Sequence, residues 1–232
     1  MSDYSAVKDK CAFVAGASKG TGLELTKALL KNGARVFAAG RHHSPELMEL
    51  EKEYPGLSFI EADFAESSPS ILLKKAEIKK ALEETDILAV TFGPFIQKPL
   101  EETTAEDWTM LALNDLALPG ALVSQVLPHM KKSGFGRIIL FGGTRTDSIH
   151  PYKSTAAYSA CKTAISVLVK SAALIAPEII TCSAILPGFT NHAPQNTREV
   201  TPAFLADQAM HLISCPELNG VLLNADRGWC PF

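Results

Sequence analysis

The chain has 232 residues, 47% of them apolar, which is enough to bury one substantial core and argues for a single domain over residues 1–232. Its 22 basic and 25 acidic side chains leave a net charge of −3 with no cationic block, so nucleic acid is not an expected partner. Asp3, Lys8, Asp9 and Lys10 deny the N-terminus the apolar centre of a secretory leader, and Lys170, Pro177 and Glu178 interrupt the most apolar run, 165–185, so a cytoplasmic protein with no membrane partner is expected.

The first strand-length apolar run, Cys11–Ala15, leads into Gly16-Ala17-Ser18-Lys19-Gly20-Thr21-Gly22 and a helical pattern over Gly22–Lys31. Glycines at such a strand-to-helix turn let the backbone approach a pyrophosphate at the helix N-terminus, where unpaired N–H groups and the helix dipole favour negative charge. A turn that merely closes tightly is the competing reading.

The second strand, Arg35–Ala39, ends at Gly40-Arg41. An acid at this point selects NAD by bonding the ribose 2′-hydroxyl, and here a cation replaces it. Arg41 and Lys19 together suit a 2′-phosphate, so NADP(H) is the predicted cofactor, against the alternative that both are ordinary solvated cations.

A helix is predicted over Pro45–Glu53 and a third strand over Leu57–Glu61, followed by Asp63 and Phe64 at the carboxyl edge of the sheet. Asp63 is placed to accept hydrogen bonds from an adenine, although its spacing equally suits a plain loop aspartate. Ser67-Ser68-Pro69-Ser70 opens a helix expected over Ser70–Glu83. The fourth strand, Ile87–Phe92, runs into Gly93-Pro94, and a long helix over Ala105–Lys132 precedes the fifth, Arg137–Phe141.

The next helix, Thr155–Ala176, begins with Tyr158-Ser159-Ala160-Cys161-Lys162. Residues four apart share a helix face, so Tyr158 and Lys162 reach the same ligand. A nearby ammonium lowers a phenol from its reference pKa of ~10, which makes proton transfer near neutral pH plausible. The sixth strand, Thr181–Leu186, ends at Pro187-Gly188. Phe189 to Val200 is a short polar segment, of which His192 and Arg198 are candidate substrate contacts. A helix over Pro202–Ile213 and a strand over Val221–Asn224 complete seven strands alternating with helices. Such a pattern gives an α/β fold of the Rossmann type, a doubly wound parallel sheet of seven strands covered on both faces. The five cysteines lack C-x-x-C spacing and read as reduced, mostly structural thiols.

Ala15 to Gly22, Asn114, Tyr158 to Lys162 and Pro187-Gly188 occur in the order of the motifs of short-chain dehydrogenases/reductases, and the chain resembles that family from Val7 to Trp229. The resemblance implies that Tyr158 is the general acid/base at a substrate carbonyl, and that Lys162 tunes it and holds the nicotinamide ribose. It further implies that Asn114 links the lysine to a water relay, and that Gly93, Pro187, Gly188 and Thr190 border the cofactor. The partner would be a small carbonyl or alcohol, and the assembly a homodimer or homotetramer formed through the helices flanking the fifth strand.

Two departures stand out. Gly143 occupies the place of the family's catalytic serine, leaving Thr144 as the nearest hydroxyl, with Thr146, Ser148 and Arg145 as other candidates. Thr91-Phe92-Gly93-Pro94 replaces an Asn-Asn-Ala-Gly segment, removing side chains that brace the strands. NADP(H)-dependent carbonyl/alcohol oxidoreduction is therefore the leading expectation. An NADP(H)-binding protein with little turnover and a non-redox isomerase or lyase on the same fold are the alternatives.

Overall fold

The structure, a computed structural model, describes residues 4–65, 68–191 and 199–230. Its elements in chain order are β1 (Cys11–Ala15), α1 (Gly20–Lys31), β2 (Arg35–Gly40), α2 (Pro45–Glu53), β3 (Leu57–Glu61), α3 (Pro69–Leu72), α4 (Ala76–Glu83), β4 (Ile87–Val90), α5 (Ala105–Ala112), α6 (Leu118–Ser133), β5 (Gly136–Phe141), α7 (Ala156–Ala172), β6 (Ile180–Pro187), β7 (Phe189–Thr190), β8 (Glu199–Val200), α8 (Pro202–Ser214) and β9 (Leu222–Ala225).

Seven strands form one parallel sheet in the order β3-β2-β1-β4-β5-β6-β9. The order reverses between β1 and β4, and at such a switch point the crevice at the carboxyl ends of the strands accepts ligands. Side chains alternate between the two faces with a period of two. Ala12 and Val14 join the core under α1, α2 and α8, whereas Phe13 and Ala15 join the core under α4, α6 and α7. Both faces are covered, which accounts for strands that are apolar throughout.

The helix ends follow local chemistry. Ser44 accepts the Leu47 N–H ahead of Pro45, Thr104 and Asp107 form a reciprocal capping box, and Gly134 closes α6 with φ at 73°. The segment expected as one helix over 70–83 is two. Lys74 and Lys75 N–H groups bond three residues back, to Ile71 and Leu72, and the chain restarts at Ala76. A continuous helix would set positions 72 and 78 about 240° apart. The break lets both Leu72 and Ile78 be buried.

The long helix expected over 105–132 spans Ala105–Ser133, with a π-helical turn at Leu113–Ala117. By length and composition it could cross a membrane, but Leu118, Leu122, Val126 and Met130 pack it against the sheet. Among the described residues no disulfide joins the cysteines, and Cys11, Cys161 and Cys182 are buried. The two-residue parallel pair β7·β8 was not evident in the sequence.

Candidate active site

The turn after β1 is shaped by close approach. Gly16 has φ at 92°, and its N–H and that of Ala17 both bond the Ala39 carbonyl at the end of β2. A side chain at Gly22 would strike the Gly16 carbonyl and the Thr91 hydroxyl, whereas at Gly20, with φ at 58°, nothing lies within 4 Å of the would-be Cβ. That turn is therefore packed beneath and open above. Gly20, Thr21 and Gly22 begin α1 without a side-chain cap, and they line a cavity of about 530 Å³ at the carboxyl edge of the sheet.

The cavity collects most of the predicted cofactor residues. Gly16, Ser18 and Lys19 meet Arg41 at one end, with His42 beside it, which sequence reasoning did not single out. Ser18 Oγ donates to the His42 carbonyl at 2.6 Å, tying the glycine turn to the loop after β2, and Gly40 lacks the Cβ that would strike that hydroxyl. Arg41 Nε lies 3.0 Å from His42 Nε2. Asp63 and Phe64 line the same end, Asp63 accepting the Ala65 N–H at 2.9 Å. Gly93, Tyr158, Lys162, Pro187 and Thr190 line the other end, while Gly188 is buried just behind it, its N–H on the Ala225 carbonyl. An uncapped helix start, an open glycine turn and cations at one end form a cradle that fits a nicotinamide dinucleotide.

The brace expected to be missing at the end of β4 is present in another form. Thr91 Oγ1 donates to the Ala15 carbonyl at 2.8 Å and reaches that of Gly16 at 3.3 Å, bridging β4 to β1. A single hydroxyl thus does what the absent asparagines were expected to leave undone.

Lys162 is buried between an ion-pair partner and a hydrogen-bond acceptor. Its Nζ lies 2.9 Å from Asp115 Oδ1 and donates to the Phe141 carbonyl at 3.1 Å. Asp115 was not among the sequence candidates; a lone aspartate beside Asn114 carries no sign of its orientation. Asn114 itself is buried with its amide on the Met110 carbonyl, 2.8 Å away, and does not line the cavity. Burial pushes the Asp115 carboxyl above its ordinary range, with Lys162 opposing that rise.

Tyr158 packs edge-on against Phe95, ring centroids 4.9 Å apart, and the Lys162 ammonium stands 5.9 Å from its ring centroid. Its phenol is raised above its ordinary value, first by burial and then by the charge of Asp115. This corrects the expected lowering by Lys162, because burial of the phenol dominates and the charge of Asp115 adds to it.

The hydroxyls considered for the missing serine are engaged elsewhere. Thr144 Oγ1 donates to the Pro187 carbonyl at 2.7 Å, and Thr146 is fully buried with its hydroxyl on the Gly143 backbone. Ser148 pairs with His150 at 2.6 Å. Arg145, with φ at 56°, turns away to Asp226, 2.7 Å from it, and to the Trp229 carbonyl. None of these lines the cavity. His192 and Arg198 lie outside the described residues.

The family model for short chain dehydrogenases matches residues 10–202. D-beta-hydroxybutyrate dehydrogenase of Rhizobium meliloti is 29% identical, the match covering 78% of this chain and 71% of that protein. The 7alpha-hydroxysteroid dehydrogenase of Clostridium sardiniense is 28% identical over 96% of this chain and 89% of its own length. Among solved structures, a candidate NAD(P)-dependent gluconate 5-dehydrogenase from Beutenbergia cavernae with NADP bound at low occupancy superposes with a TM-score of 0.82 at 22% identity, covering 98% of this chain and 99% of that one. That level of likeness speaks for the fold alone.

Proposed function

The chain belongs to the short-chain dehydrogenase family, and on that premise we propose that it is an oxidoreductase moving a hydride between NADP(H) and a carbonyl or secondary alcohol, with Tyr158 exchanging the proton at the substrate oxygen. What supports this reading is one cavity that carries the glycine cradle, Arg41 and Lys19 at one end and Tyr158 with Lys162 at the other. The relatives named as dehydrogenases agree with it.

When bound, the nicotinamide supplies or accepts the hydride. This chain's own residues do the rest. The first turn of α1 and the open backbone at Gly20 would hold a pyrophosphate, and Arg41 with Lys19 would pair with a 2′-phosphate. Phe95 packs edge-on against Tyr158, and Phe92 lines the cavity wall. Tyr158 gives its Oη proton to the carbonyl oxygen during reduction and takes it back during oxidation. Consumption of NADPH but not NADH with a panel of carbonyl compounds, followed by nicotinamide absorbance, tests the reading.

A second reading has a specific observation behind it. Gly143 presents no donor and the nearby hydroxyls are turned onto backbone, so a protein that binds NADP(H) with little turnover is the alternative. Tight NADPH binding without consumption across the panel would favour it.

We further propose a cytoplasmic homodimer or homotetramer. The exposed apolar residues Trp108, Leu113 and Leu116 on the α5–α6 helix and Val167 on α7 are consistent with pairing through these elements. A monomer mass by light scattering at micromolar concentration would overturn the assembly.

A further inference from the structure

The helix between β4 and β5 carries a π-helical turn at Leu113–Ala117, and the side chain delivered there to Lys162 is a carboxylate. Asp115 is fully buried, and the pair is sealed by Gly93, where a Cβ would strike the carboxylate and come within 2.6 Å of the ammonium. Lys162 is fixed from a third side by the Phe141 carbonyl. Asn114, one residue earlier, points its amide back along its own helix. Such π-turns add a residue to a helix and recur at functional sites.

We infer that Asp115 is a positioning residue of this site, one that fixes Lys162 through a buried ion pair and, by neutralising the ammonium, keeps the proton on Tyr158. The inference deepens the reading of Tyr158 as the proton-exchanging group and rests on it. A lone ammonium at this distance from a phenol draws off the proton, whereas a carboxylate in contact with the ammonium cancels most of that field. The titratable neighbours of Tyr158 are few. Lys162 and Cys161 come from α7, Asp115 from the π-turn and Tyr152 from the preceding loop, while Phe95 contributes an uncharged ring. Burial keeps the Cys161 thiol protonated, and burial likewise raises the Tyr152 phenol to about 12. Among the described residues, the Lys162–Asp115 pair therefore sets the charge at Tyr158 near neutral pH. Carbonyl reduction, which moves the Tyr158 proton to the substrate oxygen as the hydride from NADPH adds to carbon, finds that proton in place. Alcohol oxidation, which needs the phenolate as acceptor, is confined to alkaline pH.

Asp115→Asn keeps the shape and removes the charge. Tyrosinate absorbance through an alkaline titration, compared between each protein and the same protein carrying Tyr158→Phe, isolates Tyr158 without any turnover. In Asp115→Asn, Tyr158 is expected to ionise at a pH roughly 1 to 3 lower than in the parent, and the rise of any alcohol oxidation with pH is expected to move with it. An unchanged Tyr158 titration overturns the inference, as does an Asn114→Ala variant that moves it as far as Asp115→Asn does. Should Asp115→Asn fail to fold by circular dichroism, Lys162→Met is compared with Lys162→Met/Asp115→Asn. The double variant is expected to melt higher because no carboxylate is left buried alone, and equal melting overturns the pair. A parent that consumes no NADPH yet shows these titrations refutes the oxidoreductase reading and leaves the ion-pair inference standing.

Discussion

The ring of Tyr158 stands so close to Gly143 that a Cβ added there would lie 3.0 Å from Tyr158 Cε1, with Thr146 Cγ2 at 3.2 Å and Lys162 Cβ at 3.3 Å. The glycine thus does more than lack a hydroxyl, because the aromatic edge stands in contact with the space a side chain would use. Gly143→Ser is expected to destabilise the fold by about 1–3 kcal/mol, the usual cost of overfilling a packed site. Urea denaturation reads this directly, and a variant as stable as the parent would show that the ring is free to retreat.

Thr144 follows from its hydrogen bond. Its hydroxyl is spent on Pro187, so Thr144→Val is expected to cost about 1 kcal/mol of stability and to leave kcat within a few-fold of the parent. Tyr158→Phe is expected to lower kcat/KM by roughly 10²–10⁴ without weakening cofactor binding. A hundredfold loss in Thr144→Val would return that residue to the list of donors.

The proposed preference for NADP(H) rests on Arg41. Arg41→Ala is expected to weaken NADPH about tenfold or more and to leave NADH little changed, since a charge-assisted bond to phosphate is lost only from the former. Calorimetric titration of both nucleotides decides it, and equal losses for the two would remove Arg41 from 2′-phosphate recognition.

Stability should fall in alkali. Burial raises the Cys182 thiol from 9.0 to about 12 and Cys11 from 9.0 to about 11, and it raises the phenols of Tyr152 and Tyr158 as well. Below pH 9 both folded and unfolded chains hold these protons and nothing changes. Above about 9 for the cysteines and about 10 for the tyrosines, the unfolded chain releases protons that the folded chain retains, so each group lowers stability by about 1.4 kcal/mol per pH unit until its folded value is reached. Melting temperature against pH should be level to about 9 and then drop. Cys182→Ala should drop less steeply, and an identical slope would show that Cys182 does not titrate as described.

Most of the fold was written in short-range pattern. Apolar runs of strand length and the glycines after β1 and β2 announce themselves without reference to the rest of the chain, and so do Tyr158 and Lys162, four apart on one helix. The features that escaped depend on distant partners. Thr91 braces β1 because the sheet places β4 beside it, and nothing near Thr91 in sequence says so. Arg145 points away from the cavity because its left-handed backbone and Asp226, far along the chain, hold it there. The break after Leu72 serves burial on two sides of α3 and α4, which periodicity cannot express. Asp115 required two facts together, the irregular turn and the lysine from α7.

That irregular turn also bears on where the helix tolerates a change of length. Removing one residue from an α-helix rotates all that follows by about 100° relative to what precedes it. The π-turn at Leu113–Ala117 carries one residue more than an α-helical turn, so a deletion there is expected to leave a regular α-helix with both flanks still facing the sheet and α7 as before. The same deletion in α6 would swing Met130 off the core.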